Sequence, residues 1–225
     1  MSKFKKTIRK KTEKQLIFEF ITLFKENLKK KLVNNQRFSF VLTGGTSPKK
    51  LYQYLSNAEI NWNNIDLFLG DERYVKKNSK HSNFNLVKKQ LINKIKIKKK
   101  NIFTINLRKK SAYLSALDYE NKLKKYFKNK KYKFDFILFG MGKDGHIASI
   151  FPNNIDFNNK KLTRSITRND IERITLNLSL INKSKNIFLW LNDKKKSNIF
   201  KVLKNKKKIP FNYLDKKKTY LFIRS

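Results

Sequence analysis

The chain has 225 residues and a formal net charge of +39, from 55 Lys and Arg against 16 Asp and Glu. A hydrophobic share of 39%, with 19 Phe, excludes a disordered basic tail, and this length predicts one large domain, residues 1–225. The absence of cysteine excludes disulfides, zinc–thiolate sites and thiol catalysis, and the apolar stretch Leu16–Phe24 is too short to span a membrane.

Hydrophobic periodicity predicts helices and strands that alternate along the chain. Apolar residues at helical spacing predict helices, and short apolar or alternating runs predict strands. In chain order, these elements are a helix at 12–28, strands at Phe38–Thr43 and Ile65–Leu69, a helix from Asn83 to about Lys94 capped by Ser82, a strand at Asn101–Ile105, a helix at 111–128, strands at Phe134–Phe139, Ile174–Leu178 and Asn186–Leu191, a helix at about 194–204, and a strand at Tyr220–Ile223 that closes the sheet. This alternation predicts an α/β layer fold with a mostly parallel sheet.

All six glycines follow three of the predicted strands. They are Gly44, Gly45, Gly70, Gly140, Gly142 and Gly145. Glycine lets the backbone approach a ligand where a side chain would collide. Ligands of open α/β sheets bind at the carboxyl ends of the strands. The glycine placement therefore predicts a small-molecule site at this edge of the sheet.

The first glycine turn, Gly44-Gly45, precedes a predicted helix. Thr46 or Ser47 is expected to cap this helix, and Pro48 suits its first position. The N–H groups of such a turn and the positive end of the helix dipole suit a phosphate. The spacing of a P-loop is absent, and a plain tight turn fits these residues equally well.

The second strand exit contains three consecutive charged residues, Asp71, Glu72 and Arg73. Such a group is typical of a solvated loop. Arg73 has a more specific use beside a phosphate-binding turn, because its planar guanidinium matches phosphate oxygens.

The third glycine group, GMGKDG, fits the GxGxxG pattern of dinucleotide-binding proteins. The acidic residue expected about 20 positions later is missing, since Lys160–Arg168 contains no carboxylate. His146, directly after the third glycine, is also unusual for a helix that holds a pyrophosphate. The pattern therefore disfavours a nucleotide cofactor.

The large positive charge raises a nucleic-acid alternative. The lysines are spread through every segment, and the abundant Lys, Asn, Ile and Phe are residues with A/T-rich codons. The sequence contains no zinc-finger, RNA-recognition or basic-zipper pattern. We therefore expect no specific nucleic-acid partner and no membrane partner. Weak non-specific binding to nucleic acid is expected only at low salt. A soluble, cytoplasmic monomer or small homo-oligomer is the default expectation.

Several motifs together resemble the 6-phosphogluconolactonase family. They are TGGTSPKKLY (43–52), DLFLGDERYV (66–75), HSNFN (81–85), FGMGKDGHIASIFP (139–152) and RITLNLSLIN (173–182), in the family's order. The resemblance implies a Rossmann-like α/β three-layer sandwich, shared with glucosamine-6-phosphate deaminases. It also implies hydrolysis of 6-phospho-D-glucono-1,5-lactone in the pentose phosphate pathway, with no metal or organic cofactor.

The deaminases are the enzymic alternative, because they also contain DGHIA. In that branch the motif continues through a catalytic carboxylate to proline, whereas this chain has Phe151 before Pro152. The GDER form of the second motif is also that of the lactonases, where deaminases typically have MDEY. These differences favour the lactonase.

The chain departs from the lactonase pattern near its C-terminus. Asn192 replaces a glycine that usually precedes Lys195, and asparagine tolerates a positive φ. The segment Pro210–Asp215 is also shorter than the family leads us to expect. These departures affect the role of Lys195 and one edge of the site.

Opening a lactone requires a base for the attacking water and stabilisation of the tetrahedral oxyanion. His146 is the predicted base, since an imidazole with an ordinary pKa of about 6.5 suits neutral pH and His81 lies away from the glycines. Asp144 either orients His146 or forms a turn. The remaining candidates bind substrate: Gly44, Gly45, Thr46, Ser47, Arg73 and Lys195 at the phosphate, and the amides near Gly142 and Gly145 at the oxyanion.

Overall fold

A computed structural model describes residues 3–76, 78–128, 131–156, 159–192 and 208–224. The helix predicted at 194–204 and Lys195 lie outside these residues. The described strands are β1 (Lys6–Lys10), β2 (Phe38–Leu42), β3 (Ile65–Leu69), β4 (Asp71–Arg73), β5 (Ile102–Phe103), β6 (Phe136–Gly140), β7 (Thr163–Arg168), β8 (Ile171–Leu176), β9 (Ile187–Leu191) and β10 (Thr219–Arg224). The described helices are α1 (Glu13–Leu32), α2 (Lys49–Asn57), α3 (Asn83–Gln90), α4 (Ala112–Tyr126) and α5 (Leu178–Lys183).

Seven strands form a parallel sheet in the order β1-β10-β9-β6-β2-β3-β5. All five residues of β2, β3 and β9 are buried, because helices cover both faces of the sheet. Phe20 of α1 packs against Phe136 on one face, and Tyr126 of α4 packs against Phe68 on the other. The predicted α/β three-layer sandwich with a mostly parallel sheet is therefore confirmed.

The order of the strands in the sheet indicates where a ligand site is expected. Strands β2 and β6 are neighbours in the sheet. The strand after β2 along the chain, β3, lies on the side of β2 away from β6, whereas β9 lies on the side of β6 away from β2. The carboxyl ends of β2 and β6 thus border the point where the strand order reverses. In open α/β sheets this is the crevice in which ligands bind.

The prediction that Tyr220–Ile223 closes the sheet is wrong. Strand β10 lies between β9 and β1, and the edge is formed by Lys6–Lys10, which hydrophobic periodicity does not reveal. Only Ile8 of β1 is buried, so this strand has almost no apolar signal. Its lysines are typical of an edge that discourages further strand pairing.

A second, antiparallel sheet has the order β4-β8-β7. It corrects two predictions. The charged stretch 71–73 is a strand with a buried Asp71 and Glu72 and not a solvated loop. The strand predicted at Ile174–Leu178 ends at Leu176, and Leu178 begins α5. None of the described helices is long and apolar enough to cross a membrane.

Candidate active site

A cavity of about 290 Å³ lies at the carboxyl ends of β2 and β6. It is lined by Thr43, Gly44, Gly45, Thr46, Ser47, Asp71, Arg73, Asn83, Gly140, Met141, Gly142, Lys143, His146 and Ala148. A larger cavity of about 770 Å³ beyond β5, lined by Tyr74, Phe84 and Arg108 among others, contains no histidine and none of the glycine turns. We therefore place the candidate active site in the smaller cavity.

The cavity brings together most of the residues predicted from the sequence. The Gly44–Ser47 turn, Arg73, Gly142 and His146 line it directly. Asp144 and Gly145 do not line it but shape the loop that holds His146.

His146 is held by Asp144. Its Nδ1 lies 2.6 Å from Oδ1 of Asp144, and its backbone N–H donates to the same oxygen at 3.3 Å. Partial burial alone would raise the pKa of Asp144, but hydrogen bonds from Arg168 and His146 outweigh it and lower the pKa to about 2. Asp144 is thus an anion at neutral pH and only accepts hydrogen bonds. The hydrogen therefore sits on Nδ1, and Nε2 of His146 is the nitrogen that accepts a proton.

The glycines around His146 serve the loop itself. A Cβ on Gly142 would lie 2.1 Å from the His146 ring, so only glycine allows this packing. The Gly142 N–H donates to the carbonyl of His146, and the Gly145 N–H donates to that of Gly142. These two amides are therefore already used. Within the described chain, the N–H groups of Lys143 and Asp144 have no acceptor, so they replace the glycine amides as oxyanion donors in our proposal.

The Gly44–Ser47 turn has the shape of an anion-binding turn. Gly45 has φ 80°, and the N–H groups of Gly44, Gly45 and Thr46 have no acceptor in the part of the chain that the structure describes. A Cβ on Gly44 would lie 1.8 Å from Oδ1 of Asn83, so a side chain there would displace α3. The turn therefore places backbone donors without a described acceptor at the wall of the cavity.

The predicted capping of α2 is wrong. The helix begins at Lys49, and its cap residue is Pro48, not Thr46 or Ser47. The Ser47 hydroxyl instead donates to Oδ1 of Asn192 at 2.9 Å.

The sequence suggested that Asn192 replaces a glycine by adopting a positive φ, but the structure gives it a different role. It is not among the described residues with positive φ. Its amide nitrogen donates to the carbonyl of Ser47 at 3.1 Å and to Glu13 at 2.8 Å. The side chain thus ties the Gly44–Ser47 turn to the start of α1.

Asp71 is a buried carboxylate on the wall of the cavity. It accepts hydrogen bonds from the amide of Asn83 at 3.1 Å and from the hydroxyl of Ser149 at 2.8 Å. Asn83 and Ser149 are themselves buried. This network joins β4, α3 and the loop after His146, and so fixes the two sides of the cavity relative to each other.

Glu72 is 1% exposed and ties β4 to α3. Its Oε1 accepts from the N–H groups of Arg73 and Asn83, and its Oε2 accepts from the N–H of Phe84 and the hydroxyl of Ser82. Burial raises the pKa of Glu72 although these four donors oppose the shift. The predicted cap of α3, Ser82, is confirmed, since its hydroxyl accepts from the N–H of Asn85.

We expect Glu72→Gln to lower the free energy of unfolding by about 2–4 kcal/mol, because the new NH₂ group would face two donors and leave them unpaired. Urea unfolding measures this change. The exposed Glu59→Gln is the control that removes the same charge, and it should stay within about 0.5 kcal/mol of wild type. Equal midpoints for the two variants would show that the four contacts of Glu72 contribute nothing.

Arg73 lines the cavity from the end of β4. Its Nη1 donates to the carbonyl of His81 at 2.7 Å, which fixes the side chain beside α3. Arg173 is its register partner on β8, so the two arginine side chains extend from the same face of the antiparallel sheet. Burial and then the charge of Arg73 lower the pKa of Arg173. Adjacent cations of this kind favour a multiply charged anion between or beside them.

Phe151 forms an apolar wall behind His146. It is 5% exposed, and its ring centroid lies 4.8 Å from that of His146. The guanidinium of Arg168 lies 4.1 Å from the centroid of the Phe151 ring, and that of Arg173 lies 5.6 Å from it. An aromatic ring, and not an acid, therefore occupies the position before Pro152.

Sequence reasoning missed Asp71, Asn83, Arg168 and Arg173 as site residues. Asp71, Asn83 and Arg173 lie in the motifs DLFLGDERYV, HSNFN and RITLNLSLIN, and the resemblance of these motifs to those of the family was the local signal available. Arg168 had none, because it contacts Asp144 across 24 residues of chain through a hairpin that periodicity did not reveal. Among the residues that the structure describes, no three His, Asp or Glu side chains cluster as metal ligands would.

Fold and cavity define an α/β protein whose small-molecule site lies where the order of a parallel sheet reverses. The model of the glucosamine-6-phosphate isomerase/6-phosphogluconolactonase family matches residues 11–223, and the chain belongs to this family.

Individual relatives agree with this assignment. The 6-phosphogluconolactonase of Thermotoga maritima is 29% identical over 202 residues, which cover 87% of this chain and 88% of the relative. That of Haemophilus influenzae is 31% identical over 72% of this chain and 71% of its own. The crystal structure of the Thermotoga maritima 6-phosphogluconolactonase superposes with a TM-score of 0.82 at 26% identity, covering 97% of this chain and 99% of that one.

Proposed function

We propose that this protein is a 6-phosphogluconolactonase that hydrolyses 6-phospho-D-glucono-1,5-lactone to 6-phospho-D-gluconate. The observation that carries the proposal is the His146–Asp144 pair, which supplies a proton acceptor at the wall of the cavity. The same cavity contains hydrogen-bond donors suited to a phosphate, in the Gly44–Ser47 turn and Arg73. The relatives described above are 6-phosphogluconolactonases, and the reaction is a step of carbohydrate metabolism.

The proposed reaction begins with a water between His146 and the lactone carbonyl. Nε2 of His146 takes a proton from this water as its oxygen bonds to the carbonyl carbon. The negative charge that develops on the carbonyl oxygen is stabilised by the N–H groups of Lys143 and Asp144. When the tetrahedral intermediate collapses, the bond to the ring oxygen breaks. His146 then returns its proton to that oxygen, which becomes the 5-hydroxyl of the acid product.

The proposed phosphate subsite lies on the opposite wall of the cavity. The N–H groups at Gly44–Thr46 and the guanidinium of Arg73 are its described donors, and the positive end of α2 adds to their field. Ser47 contributes through its place in the turn, and Lys195 is a further proposed ligand. Asp71 is placed to accept hydrogen bonds from sugar hydroxyls.

The deaminase alternative requires, in addition to Asp144, a carboxylate at the motif position directly before Pro152 for its proton chemistry. The corresponding position is Phe151, whose ring packs against His146 and two arginines. A neutral ring neither donates nor accepts a proton. The local chemistry therefore supports a hydrolase and not an amine-releasing isomerase.

The purified protein is expected to accelerate the loss of freshly prepared 6-phosphogluconolactone well above its spontaneous hydrolysis. The rate should be the same with and without a chelator, because the proposed steps use only side chains and backbone groups. Coupled oxidation of the acid product or pH-stat titration measures the rate. Ammonia release from glucosamine 6-phosphate, without acceleration of lactone loss, would support the deaminase instead.

A further inference from the structure

Arg168 is a charged residue near the candidate site that does not line the cavity. It is the last residue of β7 and is followed by a tight turn in which Asn169 and Asp170 both have positive φ, 49° and 57°. The turn leads directly into β8, whose first residue, Ile171, is the register partner of Arg168. The hairpin therefore holds the backbone of Arg168 at a defined place beside the loop of His146.

The side chain of Arg168 is fixed at two points. Its Nη1 donates to Oδ2 of Asp144 at 2.5 Å, and its guanidinium lies over the ring of Phe151. The stacking aligns the plane of the guanidinium, and the charged hydrogen bond fixes its end.

Arg168 and His146 use different oxygens of the same carboxylate. Oδ1 of Asp144 accepts from His146, and Oδ2 accepts from Arg168. About a third of the Asp144 side chain is exposed, so contacts with its own loop alone would leave the carboxylate able to rotate. With both oxygens held, the carboxylate plane and hence the direction of the bond to Nδ1 are set.

We propose that Arg168 is a positioning residue for the hydrolysis: it holds Asp144 so that Asp144 keeps His146 oriented, with its hydrogen on Nδ1 and with Nε2 available to the water. This inference deepens the proposed function and rests on it. Arg168 itself does not touch the reacting atoms, and its effect passes through the carboxylate of Asp144.

The charges around His146 decide how the pH dependence changes. Asp144 and Lys143 lie on its own loop, Arg168 and Arg173 adjoin Phe151 from β7 and β8, and Asp71 and Arg73 line the cavity from β4. Loss of the Arg168 cation leaves the anion of Asp144 less compensated, which favours the protonated imidazole. The fall of kcat on the acid side should therefore begin at a higher pH.

The test is the kinetics of Arg168→Gln on 6-phosphogluconolactone. We expect kcat to fall by about 10- to 100-fold, the usual scale for lost orientation of a reacting group, with KM nearly unchanged. The acid side of the kcat profile should move to higher pH. Arg168→Lys keeps the charge and should lose less activity and keep the wild-type profile. This variant also carries the test if Arg168→Gln does not fold.

Arg164→Gln is the matched control, since Arg164 lies on the same strand but contacts the backbone of Asn154 and not Asp144. It should retain the wild-type kcat. The decisive comparison uses Asp144→Asn, in which Arg168→Gln should have little further effect, because residues that act through one another are not additive.

Three results would overturn the inference. They are an unchanged kcat and pH profile in Arg168→Gln, a loss confined to KM, and a full additional loss on the Asp144→Asn background. A wild-type protein that does not hydrolyse the lactone would instead contradict the proposed function. The two failures are therefore distinguishable.

Discussion

Replacing His146 with alanine is expected to lower kcat for the phospholactone by about 10²- to 10⁴-fold, the usual contribution of a positioned general base. KM should change little, because the proposed phosphate donors lie on the turn after β2 and on β4. The protein should still fold, since His146 is half-buried and borders the cavity. Steady-state kinetics and circular dichroism measure these effects.

The pH dependence gives an independent measure of the same role. In the wild type, kcat should fall as the pH drops, because an imidazole that is already protonated cannot accept a proton from water. The residual activity of His146→Ala should lack this dependence.

His81→Ala is the control, because it removes the other imidazole of the chain. The His81 side chain is exposed, and the substitution keeps the backbone carbonyl that holds Arg73. Near-wild-type activity is expected. If the two histidine variants lose the same activity, or if His146→Ala keeps its rate and pH profile, His146 is not the base.

Arg73→Ala is expected to raise KM for the phospholactone by about 30-fold or more, since a hydrogen bond to a charged group contributes about 2 kcal/mol. Arg73 lines the same cavity as the Gly44–Ser47 turn, and its guanidinium is fixed by a hydrogen bond to the carbonyl of His81. Arg73→Lys should recover only part of the affinity, because an ammonium lacks the planar pair of donors.

The unphosphorylated lactone separates phosphate binding from other roles. Its slow hydrolysis should be nearly the same in wild type and Arg73→Ala. Arg9→Ala, which removes an exposed arginine at the far edge of the sheet, should leave both substrates unaffected. Equal losses on both substrates would mean that Arg73 supports the fold or acts on the lactone ring.

Several parts of the fold follow from local sequence because burial leaves a local pattern. Strands β2, β3 and β9 are buried on both faces, so they have continuous apolar runs with recognisable boundaries. Helix α1 buries one face, so its apolar residues recur at helical spacing. Strand β1 exposes most of its residues, so only its pairing with β10 makes it a strand.

The residues of the candidate site likewise include some that local sequence reveals and some that it does not. The glycines and His146 are recognisable in the sequence because close packing requires them at fixed positions, as Gly142 shows against the His146 ring. The burial of Asp71 and Glu72 is not recognisable, because a run of charged residues usually faces solvent. It depends on donors from α3 and from Ser149, which lie 10 to 78 residues away.

By itself, the sequence determined the fold class, the edge of the sheet at which the candidate site lies and the family to which the chain belongs. These properties depend on apolar periodicity, glycine placement and contiguous motifs, which are all local. Only the tertiary structure decided that Arg168 meets Asp144 and that Asn192 meets Ser47, 24 and 145 residues apart. Polar partners of this kind are set by strand order and register. Those depend on how the whole core packs, and no single segment records them.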